Sequence, residues 1–106
     1  MSILDPNQDH SITLEEGADM TSNYRNSNTF NGKYGGFFGR KALLAILSQE
    51  NCAGIRYYYG LNSENVPVIV LIGATEDNRD QVEGELAEMS TPCPNNCDED
   101  SPLRND

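Results

Sequence analysis

The sequence predicts a small α+β domain: a β-sheet built on a central hairpin, about 54–61 and 66–74, packed against two or three helices. Three observations predict it. Residues 54–61 alternate like a half-buried strand, residues 66–73 form a β-branched apolar run, and residues 13–26 and 39–49 carry helical patterns. At 106 residues the chain has room for one domain. Its polar ends divide it into a lead-in at 1–11, an α+β domain at 12–90 and a Pro/Cys-containing acidic tail at 91–106.

The first helix opens at Thr13. The Thr13 hydroxyl can cap it and Glu16, three residues on, completes a capping box. Glu15 and Glu16 also suit the positive end of the helix dipole. Asn and Ser accumulate from Asn23 to Asn26 and should stop the helix there. Residues 26–36 read as a loop, because their glycines and asparagines adopt left-handed conformations at little cost. Gly32, Gly35, Gly36 and Gly39 lack the Gly-Lys-Ser/Thr ending and the preceding buried strand of a phosphate loop.

A second helix spans about Gly39 to Gln49. Ala42 to Leu47 is apolar almost all round, which predicts burial on most sides. Asn51 and Gly54 bracket its end. In the first hairpin strand, Ile55, Tyr57, Tyr59 and Leu61 face one way and Arg56, Tyr58 and Gly60 the other. Asn62 to Asn65 form the turn. The run from Val66 to Gly73 reads as a strand covered on both faces. Pro67 has no N–H and belongs at the strand start or on an unpaired edge. Val82, Leu86 and Met89 could line a short helix. A third strand at 82–88 is the alternative, and Gly84 disfavours both.

A two-stranded hairpin is marginal alone. Helices can cover one face, and few elements remain for the other. A second copy of the chain is the remedy this shortage suggests, through face packing or edge pairing.

Several segments form a pattern in order: Asn23-Tyr24-Arg25, Phe37-Phe38-Gly39-Arg40, Cys52 to Leu61, Leu71-Ile72-Gly73, and Pro92-Cys93-Pro94 with Cys97. This pattern resembles a group of short bacterial proteins, many from the Bacteroidetes. The resemblance spans about 13–97 and is most specific at Cys52–Leu61 and Pro92–Cys97. It implies a whole small cytoplasmic protein and no particular activity.

Charge narrows the function classes. With 17 acids against 7 bases the net charge is −10, which disfavours nucleic acids and anionic membrane surfaces. No segment reaches the roughly 18 apolar residues of a membrane span. Met1 to His10 has neither the basic nor the apolar region of a signal peptide. Thiols in a reducing, cytoplasmic setting are therefore the default for the three cysteines.

The candidate chemistry is sparse. Cys93, Cys97, Cys52 and His10 would make a Cys₃His zinc set, but the spacing departs from common zinc modules. Cys93 and Cys97 are free, bridged in a small loop, or metal-bound. The only histidine, His10, lies in a polar stretch, so neither a triad nor a cysteine–base pair is evident. Glu76, Asp77, Asp80 and the other carboxylate clusters read as solvated faces, with Glu88 able to pair with Arg56 or Arg40. No catalytic residue and no cofactor is expected. The candidate interaction residues are Tyr58, Arg56, Phe37, Phe38 and Pro67, because tyrosine and phenylalanine suit interfaces. The sequence therefore points to a non-enzymatic, self-associating structural or interaction protein. A small adaptor that binds another protein by its sheet edge, or a thiol or zinc protein, is the alternative.

Overall fold

A computed structural model describes residues 3–88 and 91–105. Met1, Ser2, Met89, Ser90 and Asp106 lie outside the described residues, Met89 of the expected helical stripe among them. The element order is α1 (Leu14–Arg25), β1 (Gly35–Phe37), α2 (Arg40–Leu47), β2 (Gly54–Leu61), β3 (Pro67–Ala74), β4 (Leu86–Glu88) and β5 (Thr91–Cys93). The fold is α+β, with a two-stranded and a three-stranded antiparallel sheet. No helix among the described residues is long and apolar enough to cross a membrane.

The chain forms two compact units, each assembled from segments distant in sequence. One is Met1–Gln8 with Phe38–Met89, the other Asp9–Phe37 with Ser90–Asp106. These units cut across the division into lead-in, domain and tail.

The first unit holds the hairpin. β2 and β3 pair antiparallel in the register Gly54↔Ala74 to Leu61↔Pro67. The loop between them is closed by the Asn62 carboxamide, whose Oδ1 accepts from the N–H groups of Glu64 (2.8 Å) and Val66 (3.0 Å). Asn65 takes the left-handed conformation that this turn requires (φ 63°). Pro67 is the first residue of β3, where its missing N–H costs least.

The apolar strand is covered on both faces within the chain. Val68, Ile72 and Ala74 on one side, and Leu71 and Gly73 on the other, are buried. The shortage of cover expected at β3 is therefore not found; the exposed large side chains of the hairpin stand on β2 instead.

The third strand of this sheet is β4, with Leu71 opposite Ala87. Of the two readings of this stretch, the strand is the one that forms, at Leu86–Glu88. Its backbone groups find partners on β3, which Gly84 and a three-residue stretch could not supply as a helix.

α2 contacts β2, β3 and β4. It is less buried than its composition predicts: Ile46 is fully enclosed, while Leu44 and Leu47 are exposed. An eight-residue helix lying on one small sheet presents a single stripe to it, and the remaining leucines face water. Gln49 fastens its end. Its amide donates to the Gln81 carboxamide (3.1 Å) and its Oε1 accepts from the Glu85 N–H (2.8 Å).

In the second unit, α1 carries the expected capping box. The Glu16 N–H donates to Thr13 Oγ1 (3.0 Å) and the Thr13 N–H to Glu16 Oε1 (2.9 Å). The helix stops at its C-cap Asn26. Inside the stretch read as a loop, Gly35–Phe37 pairs with Thr91–Cys93. A disulfide joins Cys93 to Cys97, with Cα atoms 4.9 Å apart. The tail therefore closes over its own unit.

Candidate interaction surface

The sheet order β2-β3-β4 leaves β2 at an edge, eight residues long, with no strand beside its outer side among the described residues. The hydrogen-bond pattern fixes which of its backbone groups face outward. The Asn62 N–H donates to Val66 O (3.0 Å), so the even-numbered residues of β2 bond inward to β3. On β3 the odd positions face the other neighbour, since the Gln81 N–H donates to Gly73 O (2.8 Å). The N–H and C=O groups of Ile55, Tyr57, Tyr59 and Leu61 consequently point away from the sheet.

The side chains along this edge are large and open. Tyr57 is 56% exposed, Tyr58 47%, Tyr59 82% and Leu61 66%. Tyr57 and Tyr59 share one face, their rings edge to face at 5.6 Å. Hydrogen bonding of the Tyr59 hydroxyl to Tyr57 and the charge interaction between the two phenols, with a lesser contribution from desolvation, hold the Tyr59 phenol above its usual range.

On the opposite face Arg56 and Tyr58 converge on Asp80. Arg56 donates to Asp80 Oδ1 (2.7 Å) and to the Asn78 carboxamide, and the Tyr58 hydroxyl donates to Asp80 Oδ2. Burial pulls the Arg56 guanidinium down, but the hydrogen bonds and charges of Asp80 and Tyr58 outweigh it and raise the group above its ordinary value. Asn78 sits at positive φ (68°) in the turn that delivers Asp80, and Ala74 bridges to Asp80. Arg56 thus meets Asp80, not Glu88, which stands on β4 opposite Val70. Asp80 and Asn78 are the residues that sequence reasoning missed. The acidic cluster contained Asp80, but no spacing rule links it to a strand 22 residues earlier.

Of the other interaction candidates, Pro67 lies exposed opposite Leu61, Phe37 is exposed on β1 in the second unit, and Phe38 is half-buried in the first. The zinc set is not assembled. Cys93 and Cys97 are bonded to each other, and Cys52 belongs to the other unit, where its Sγ meets Gly54 O at 3.2 Å. His10 is exposed in the second unit. Among the described residues, no group of three His, Cys, Asp or Glu side chains is placed to hold a metal ion. Cys52 also lines an open cleft of about 600 Å³ with Asn51, Thr75, Arg79 and Asp80. Compared with known proteins, the chain matches no family model, no curated protein and no solved structure.

Proposed function

We propose that this protein is a non-enzymatic, self-associating structural or interaction protein, and that the surface it uses is the β2 edge. One observation carries the reading: an eight-residue edge strand, with no strand on its outer side among the described residues, bears four large exposed side chains on a chain of net charge −10. Proteins that stay apart blunt such an edge with lysine, proline, a bulge or a very short strand. β2 is eight residues long and holds no lysine or proline, and Pro67 lies on the inner strand. β2 and β3 also hold no Asp or Glu. Their one charge, Arg56, is matched by Asp80. Two copies of an acidic chain repel nearly everywhere, and least where carboxylates are absent.

Sedimentation equilibrium at micromolar concentration tests the reading. The expected mass is a multiple of the chain mass, returning to one chain in the double variant Tyr59→Lys/Leu61→Lys with its circular dichroism unchanged. A single-chain mass for the unaltered protein at every concentration contradicts it.

A further inference from the structure

We infer that two copies join by antiparallel pairing of β2 with β2 about a two-fold axis through Tyr58, giving one six-stranded sheet. This rests on the self-association reading and adds the partner surface and its register.

The register follows from the backbone. Antiparallel pairing across a two-fold axis that continues a sheet must oppose residues of the same face, so each pair sums to an even number. The centres that overlap most of β2 are Tyr57, Tyr58 and Tyr59. The four residues whose backbone groups point outward, Ile55, Tyr57, Tyr59 and Leu61, are themselves symmetric about position 58. Only the Tyr58-centred register opposes all four to one another, Ile55 to Leu61 and Tyr57 to Tyr59 of the second copy. That arrangement makes about eight cross-strand hydrogen bonds, two for each of four pairs. A Tyr57 centre sets Leu61 against Ala53, and a Tyr59 centre sets Ile55 against Ser63, both outside β2.

The side chains agree with this register. On one face it builds a continuous row of Ile55, Tyr57, Tyr59 and Leu61 with their counterparts, in which aromatic and aliphatic neighbours each contribute. On the other face Arg56 falls beside Gly60 of the second copy, where there is no side chain to displace. A Cβ on Gly60 would make ordinary van der Waals contact with Val68 and Val70, at 3.5 and 3.8 Å. The two arginines are then four strand positions apart, about 13 Å, beyond the screening length of physiological salt. Tyr58 meets its own counterpart in a non-hydrogen-bonded pair.

The pairing also closes. It buries both long edges and leaves only the three-residue β4 at each end of the joint sheet, an edge too short to recruit a further strand readily. The product is a dimer, not a fibre.

Cysteine cross-linking reads the register directly. Directly opposed residues of a non-hydrogen-bonded antiparallel pair have Cα atoms about 4.5 Å apart, within disulfide range. In a Cys52→Ser background, Tyr57→Cys, Tyr58→Cys and Tyr59→Cys are oxidised separately, with circular dichroism confirming the fold of each. Tyr58→Cys is expected to form a covalent dimer in high yield, at least tenfold faster than either neighbour. Fastest cross-linking at 57 or 59, or equal slow rates at all three in a protein that sediments as a dimer, overturns the register and leaves self-association standing. A protein that sediments as a monomer removes both.

Discussion

Asp80 shows how one carboxylate organises a strand it does not belong to. Arg56 and Tyr58 lie on the same face of β2, two residues apart, so a single carboxylate can accept from both. Tyr58→Phe removes one of these bonds and is expected to lower stability by about 1 kcal/mol in urea melts. That meeting was illegible in the sequence because a turn at Asn78 delivers Asp80, and turn geometry is not encoded by spacing. The Thr13–Glu16 cap was legible because both partners lie within one helical turn. Thr13→Ala should therefore cost about 1 kcal/mol. The Thr13 N–H and hydroxyl hold the Glu16 carboxyl below its usual range. A depressed carboxyl pKa stabilises the folded form fully above the unfolded value and loses that support as pH falls through the folded one. Acidification below the ordinary carboxylate range should thus fray α1, and Glu16→Gln should remove that part of the pH response. Circular dichroism against pH reads both.

The elements divide by how far apart their halves lie in the chain. The hairpin was plain in the sequence because alternation, a turn cluster and a β-branched run follow one another within 20 residues. β1 and β5 were not, because Gly35-Gly36-Phe37 and Thr91-Pro92-Cys93 have no periodicity until they pair. Leu86–Glu88 fitted two templates, and only its ladder to β3 distinguishes them. The Cys93–Cys97 link closes a very small loop, for which chain-entropy reasoning gives about 2 kcal/mol. Cys93→Ser/Cys97→Ser should lower the thermal midpoint accordingly, with the loss read at amides of β1 and β5. Gly73 is a tight point of the first unit. A Cβ there would overlap the Gln81 carboxamide and reach Gln49 Nε2 at 2.8 Å, and both groups are already hydrogen-bonded. Gly73→Ala should therefore destabilise by about 1–3 kcal/mol.

At the scale of the molecule, the sequence pattern conveyed a fold class but not the two compact units, each assembled from segments distant in sequence. It did indicate more apolar surface than one small chain covers. The structure relocates that surface from β3, which is sheltered, to β2, which is open. Pairing β2 with its copy would satisfy the outward N–H groups of Tyr57 and Tyr59, which have no strand partner within the chain among the described residues. Amide hydrogen exchange at those two positions, followed as a function of protein concentration, reads this pairing where it occurs. Exchange is expected to be slow at high concentration and to accelerate on dilution while the amides of Tyr58 and Val70 stay protected. Fast exchange of Tyr57 and Tyr59 at every concentration would contradict it.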